Sequence, residues 1–451
     1  MQKIQLSDHF TYKKLLRFSF PPIIMMIFTS IYGVVDGLFV SNCIDDGGAS
    51  FEAINFIMPY LMILGAVGFM FGTGGGALVA KHLGMGERDK ANYLFSLFIY
   101  LPAILGVIIM IIGLFCLKPV AEILDRSDNE EMIRLAVRYG QICLLGLPVA
   151  MLQIEFQGLF ATAEKPKLGL VFTVASGITN IVLDALFIAW FGWGIEGAAI
   201  ATVTGQAVGC IGPIIYFARP NSSLLRLTKF KLDWRATWQA CLNGSSELMS
   251  NVSMSLVGML YNFQLLAYAP DYGIISYGVL MYVNFIFISV FIGYTVAVSP
   301  IISFNFGASN HKELKNVLKK SIIIIAVLSV SMFAMSEALS VPMSHIFVSY
   351  SDFIRNETIR AFTIYSFAFL FAGFAIFGSS FFTALNNGPI SAFISFLRTL
   401  VFQVAMVFIL PPLFPENQGI IGIWLSVVAA EALAVCVTII FMIIKRKKYH
   451  Y

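Results

Sequence analysis

Hydrophobic runs of twenty or more residues follow one another along almost the whole chain, and no other feature constrains its fold as strongly. A helix needs about 20 predominantly apolar residues to cross the hydrocarbon core of a bilayer. Such runs lie near 15–42, 53–80, 93–118, 133–161, 166–190 and 195–218, and again near 236–269, 274–303, 316–340, 357–385, 388–413 and 418–445. In lipid the backbone N–H and C=O groups must be satisfied within the segment, so runs of this length are helices. Of the 451 residues 58% are hydrophobic and only 12% charged, against about a quarter charged in soluble domains. The expectation is an all-α polytopic membrane protein with twelve transmembrane helices.

The placement of charge supports that count. Lys and Arg gather in short cytoplasmic loops, and with the N-terminus inside most of the 29 basic residues fall on one side. They include Lys3, Lys13, Lys14 and Arg17 at the start, the segment Arg219 to Arg235, and Lys445 to Lys448 at the end. Acids collect on the other side, at Asp45, Asp46 and the run from Asp125 to Glu131. Both termini are therefore expected in the cytoplasm of a prokaryote, with the chain in the inner (plasma) membrane. The net charge of +4 is a topology signal and gives no case for nucleic acid. The first apolar run is too long for a signal-peptide core and is followed by further spans, so it is expected to stay in the mature protein.

The chain also repeats itself. LGMGERDKANYL near residue 84 aligns with FGASNHKELKNVL near 307, and PVAEIL at 119 with PMSHIF at 342. GLFATAEKPKLGLVFTVAS at 158 aligns with SSFFTALNNGPISAFISFLR at 379, and GIEGAAIATV at 194 with GIIGIWLSVV at 419. The order is kept and the offset is 221 to 225 residues. That offset spans six helices, an even number, so the halves insert with the same orientation about an axis along the membrane normal. Two pseudo-symmetric six-helix bundles follow, with an N-lobe at 1–218, a cytoplasmic linker at 219–235 and a C-lobe at 236–451. A cavity between such bundles, opened to each side in turn by rocking, is the mechanical basis of alternating access.

Ionisable groups at membrane depth are costly and mark functional sites by default. Six occur here: Asp36, Glu155, Asp184, Glu247, Arg398 and Glu431. Thr173, Ser176, Asn180 and Asp184 step by three, four and four, which places them on one helix face. A carboxylate with an amide one turn away offers hard oxygen ligands for a small cation, or a site for a proton. Asp36 and Tyr32 from the first helix, and Thr202 and Gln206 from the sixth, can complete it. The alternative is a hydrogen-bonded polar core that only joins helices. A second stripe, Glu247, Asn251, Ser255, Gly258 and Asn262, runs along the seventh helix. The repeat places Asn262 near the position of Asp36, so this stripe is either a second-lobe site or a helix-pairing face. Arg398 and Glu431 sit on neighbouring spans and read as a structural ion pair. Glu155 is left without an assigned role. Pro21 and Pro22 remove backbone hydrogen bonds in the first helix and mark either a bend linked to Asp36 or a plain proline kink.

Other signals point away from catalysis. The six cysteines have no paired or metal-ligand spacing. GTGGGALVA at 72–80 lacks the Lys-Ser/Thr ending of a phosphate loop and reads as close helix packing. No nucleotide loop, metal motif or catalytic triad is apparent, so neither an enzyme nor a cofactor is expected. The 42 Phe and 19 Met suit a cavity for varied lipophilic cations.

These residues resemble the MATE (multidrug and toxic compound extrusion) transporters, in particular the prokaryotic DinF-like and MepA-like branch. The likeness rests on SFPPIIMMIFTSIYGVVDGLFV, LGMGERDKA, FQGLFATAEKP, GITNIVLDALFI and GIEGAAIAT in the first half. SSELMSNVSMSLVGMLYNFQLL, ISFNFGASN and SFLRTLVFQV continue it in the second. The resemblance implies a secondary active antiporter that exports lipophilic cationic small molecules in exchange for Na+ or H+, acting as a monomer. It implies an N-lobe cation site at Asp36, Asn180, Asp184 and Thr202, with Tyr32 and the Pro21 bend beside it. Glu247 is similar to a C-lobe acid of some members, but the acid that accompanies it there is replaced by FGSSFF here. A flippase of lipid-linked precursors from the same wider superfamily is the alternative. The excess of five intramembrane carboxylates over one Arg favours cationic cargo.

Overall fold

The computed structural model of the protein describes residues 4–44, 46, 48–124, 130–415 and 418–451. Lys3, Asp45 and residues 125–129 of the acidic run lie outside the described residues. Within them the chain is helical. The first half holds α1 (Tyr12–Cys43), α2 (Ala49–Met70), α3 (Gly76–Gly84), α4 (Arg88–Leu124), α5 (Glu130–Leu145), α6 (Leu147–Thr162), α7 (Pro166–Asp184) and α8 (Gly194–Ala218). The second half holds α9 (Trp234–Tyr268), α10 (Gly273–Gly307), α11 (His311–Phe347), α12 (Asp352–Tyr365), α13 (Ala368–Ala384), α14 (Gly388–Phe396), α15 (Phe402–Ile409) and α16 (Gly419–Tyr449). Several starts carry the side-chain caps that helix N-termini require. Thr11, Asp233, Asn310 and Ser351 each accept a backbone N–H from the first turn they precede.

Three long rods contain a π-helical turn in place of a break. Phe71–Gly75 joins α2 to α3, Ala185–Trp190 extends α7, and Leu397–Val401 joins α14 to α15. Two of the expected spans are bent. The span expected at 133–161 turns by 60° between α5 and α6, where Pro148 in the first turn of α6 withholds an N–H from the preceding helix. The span expected at 357–385 turns by 45° between α12 and α13, where the Ser366 hydroxyl bonds the Phe362 carbonyl at 2.7 Å.

Among the described residues nine helices are long and apolar enough to cross a membrane, or eleven when each bent pair is one span. The expected seventh span falls on α9, which at 35 residues is long enough but carries Asn, Ser and Glu side chains from Asn243 to Ser255. The chain is thus an all-α polytopic membrane protein.

The internal repeat has a counterpart in the packing. α1 lies against α7 and crosses to α10, and α9 lies against α14 and crosses to α2. Close backbone contacts recur in matched pairs. A Cβ on Gly84 would overlap the carbonyl oxygen of Phe304, and one on Gly307 would overlap that of Lys81. Likewise Gly244 rests on the backbone of Met70, while a Cβ on Gly293 would stand 2.5 Å from the Cα of Ile23. The short connections also match, with left-handed residues at Gly86 and Ser309 and at Glu164 and Asn386.

These contacts lie towards one end of the molecule, the end that holds both described termini. There Phe306 packs on Tyr449, Phe381 packs on Tyr451, and the Asn316 amide donates to the Phe10 carbonyl at 3.0 Å. Ahead of α1 the segment touches both halves: Leu6 N donates to Glu164 at 2.7 Å and Phe10 N to Glu313 at 2.8 Å. The connection from α8 to α9 is fastened to α4, with Arg226 N donating to Asn92 at 2.9 Å and Thr228 N to Ser96 at 2.7 Å.

Candidate functional site

In the first half, α1, α7 and α8 meet around one polar cluster. Thr173, Ser176, Asn180 and Asp184 are all buried on the same face of α7, as the spacing predicts. Asp184 has no exposed surface and Asn180 is 3% exposed. The α1 helix runs unbroken through Pro21 and Pro22 and brings Asp36 beside both Asp184 and Asn180. Two glycines make this approach possible. Gly177 has the rings of Phe28 and Tyr32 against it, and Gly205 of α8 has the Asn180 side chain and the Ser176 carbonyl against it. A larger residue at Gly205 would push against the α7 backbone, and one at Gly177 would displace the Phe28 and Tyr32 rings.

The cluster contains polar atoms that the protein leaves unmatched. Oδ1 of Asp36, both carboxylate oxygens of Asp184, both polar atoms of the Asn180 side chain and the Thr202 hydroxyl are buried with no hydrogen-bond partner among the described residues. Buried polar groups are almost always paired, so each orphan needs an explanation such as an ion, a proton or water. The oxygens of the two acids and the amide, on α1 and α7, make a donor set suited to a hard cation or to a shared proton, and the Thr202 hydroxyl lies on α8, which packs against α7. Among the described residues no group of three or more His, Cys, Asp or Glu is arranged to hold a metal ion. Any small cation would therefore be held by the mixed set.

Gln153 is the member of this neighbourhood that the sequence reading missed. Its amide donates to the Ser176 hydroxyl at 3.0 Å, and Ser176 in turn donates to the Gly205 carbonyl at 2.7 Å. The Tyr32 hydroxyl stands beside the same glutamine. A glutamine within the apolar stretch MLQIEF was the available signal. Gln206 is half-buried on α8. Glu155 is fully buried with both oxygens unmatched among the described residues, and its main chain lies against Gly72 of the α2–α3 rod.

The second half is arranged differently. Asn251 turns its amide back to the Glu247 carbonyl at 2.8 Å, and Asn262 is exposed. Glu247, Asn251 and Asn262 therefore form no single cluster. Instead Glu247 lies within reach of the charge of Arg398. Arg398 Nε donates to both carboxylate oxygens of Glu431, at 3.1 and 2.9 Å, with side chains 15% and 7% exposed. Above this pair the Tyr261 hydroxyl donates to Gln403 at 2.8 Å and meets Ser426 at 2.8 Å, and the Tyr261 ring stacks on Tyr277.

The chain matches the MatE family over residues 21–186 and 248–409, one match in each half. It belongs to the MatE family. Members of this family are carriers, so the chain is not an enzyme. The multidrug export protein MepA of Staphylococcus haemolyticus is 28% identical over 373 residues, covering 80% of each chain. Among solved structures, a MATE protein in complex with MaL6 superposes with a TM-score of 0.91 at 21% identity, covering 100% of this chain and 99% of that one. A multidrug resistance MATE family transporter of the MOP superfamily in its outward-facing conformation superposes with a TM-score of 0.89 at 21% identity, with the same coverage. The fold is the MATE fold.

Proposed function

We propose that this MATE carrier is a secondary active antiporter that exports lipophilic organic cations and drugs in exchange for H+ or Na+. The observation that carries the reading is the pair of Asp36 and Asp184 with Asn180 and Thr202, whose orphaned oxygens have no partner among the described residues. Tyr32 and Gln153 border it. A cation or proton entering there neutralises charge that the lipid-embedded interior otherwise cannot tolerate.

In this reading the chain spans a prokaryotic cytoplasmic membrane twelve times, with α9 as a full span lining the central cleft. Residues 1–218 form an N-lobe, 219–235 a cytoplasmic linker and 236–451 a C-lobe. Both termini are cytoplasmic because the basic residues gather at their end. In this reading the tight contacts at that end close the carrier towards the cytoplasm. Alternation comes from parting the lobes at the glycine contacts and closing them at the opposite end. Pro21 and Pro22 give α1 a place to bend as the state of Asp36 changes. The monomer is complete in itself, because both lobes and the cleft between them come from one chain. Arg398 and Glu431 hold the C-lobe together, and Glu247 is open to a substrate-facing role.

The test is efflux of a fluorescent lipophilic cation from vesicles under an imposed pH or Na+ gradient, comparing the intact protein with Asp36→Asn and Asp184→Asn. Gradient-driven efflux lost in either variant supports the reading and identifies the ion. Equal efflux in all three proteins rejects the site, and no efflux from the intact protein redirects the search to lipid-linked cargo.

A further inference from the structure

Glu155 is a fully enclosed carboxyl group that the antiport reading does not use. It lies midway along α6 with no exposed surface, and neither Oε1 nor Oε2 has a hydrogen-bond partner among the described residues. The π-helical turn Phe71–Gly75 lies over it: a Cβ on Gly72 would stand 3.1 Å from the Cα of Glu155. The far side of that turn is the junction between the two halves. Gly74 rests on Ala240 and Gly244 of α9, and the Asn243 amide donates to the Gly74 carbonyl at 3.4 Å. One five-residue turn therefore separates the main chain of Glu155, whose carboxyl is unmatched, from the surface at which the halves part. Single π-helical turns within α-helices are frequent at functional sites.

The surroundings offer no counter-charge. Among the described residues no side chain or backbone group pairs with either Glu155 oxygen. The charged groups on the helices packed around α6 include Asp184 of α7, Glu52 of α2, Lys81 and His82 of α3, Glu196 of α8, Glu130, Glu131, Arg134 and Arg138 of α5, and Arg88, Asp89, Lys90, Lys118 and Glu122 of α4, and none of them pairs with Glu155. α10, which also touches α6, carries no charged residue. An unpaired carboxylate in so dry a place is costly, whereas the neutral acid costs far less. At a rise of 1.5 Å per residue, Glu155 stands roughly 10 Å from the end of the molecule that holds the termini, and Asp184 roughly 27 Å from it. The two sites lie at different depths.

We propose that Glu155 is a second proton-binding site, protonated while the halves are in contact at that end and exchanging its proton with water there when they separate. On separation the O–H proton passes to water and a hydrated carboxylate remains. Closure requires a proton to return. The proposal rests on the alternating-access reading but does not depend on which molecule is exported.

The experiment places spin labels at the exposed positions Lys90 and Lys312, one in each half, in full-length protein with its native cysteines replaced and held in lipid nanodiscs. The distance distribution is measured from acidic to alkaline pH. The intact protein should hold the short distance in acid and shift to the long one as pH rises, with the closed-to-open ratio falling about tenfold per pH unit for one linked proton. Glu155→Gln, a mimic of the protonated acid, should hold the short distance throughout. Glu155→Asp should keep the pH response, because it still titrates. The proposal is overturned if the intact protein shows no response, or if Glu155→Gln responds as the intact protein does. Efflux assayed in parallel separates this outcome from failure of the transport reading, since the distance measurement needs no substrate.

Discussion

Gly84 rests on the carbonyl oxygen of Phe304 so closely that a methyl group at residue 84 has no place while the halves touch. The matched contact of Gly307 with Lys81 obeys the same constraint. Gly84→Ala or Gly307→Ala should therefore weaken this closure by about 1–3 kcal/mol, the usual cost of overpacking. Spin-label distances at the same end should show the closed state depleted by about fivefold to a hundredfold. An unchanged distribution in both variants would mean that the contact does not control the closure.

Asp184 has two unmatched oxygens, and Asp36 stands beside it. Asp184→Asn removes a charge from a site that lacks counter-charges, so it should leave thermal stability in detergent unchanged or raised while ion-driven efflux is lost. A fall in stability as large as the fall in efflux would point to a packing role for Asp184.

The Arg398–Glu431 pair makes the opposite prediction. Each side chain is enclosed with the other as its partner, so Arg398→Met leaves a buried carboxylate exposed to a dry interior. Thermal stability should drop by an amount equivalent to about 3–5 kcal/mol, and the double change Arg398→Met with Glu431→Leu should recover most of it. Failure of the double variant to recover would show that the charges serve more than each other.

Tyr261 joins α9 to α15 and α16 through Gln403 and Ser426. Tyr261→Phe removes only the hydroxyl and leaves the Gln403 Oε1 without its donor, at a cost of about 1–3 kcal/mol. Thermal denaturation measured beside the intact protein checks this, and no change in midpoint would show that water replaces the hydroxyl.

Much of the architecture was legible in the sequence because lipid imposes simple rules. Long apolar runs had to be helices, and a period of three and four along Thr173, Ser176, Asn180 and Asp184 had to make one buried face. The partnership of Arg398 with Glu431 followed because an isolated charge there is so costly. The bends at Gly146 and Ser366 were not legible, since an apolar run reads the same whether or not the helix turns within it. The side-chain contacts along α9 were not legible for a related reason. Spacing places Glu247 and Asn251 on one face, but it does not reveal that Asn251 bonds its own helix or that Asn262 is exposed. Gln153 and the cross-half glycines depend on contacts between distant segments, which periodicity within one helix does not encode.

The connection between α8 and α9 sets the scale of any motion. Its backbone is stitched to α4 as far as Thr228, and Tyr93 reaches on to the Lys231 carbonyl at 2.8 Å. At most residues 229–233 are left to pay out before α9 begins, a leash of no more than about 17 Å even when drawn straight. The second half stays tethered to this anchorage, so however the carrier opens at the face that bears its basic residues, the start of α9 travels no farther from α4 than that leash allows.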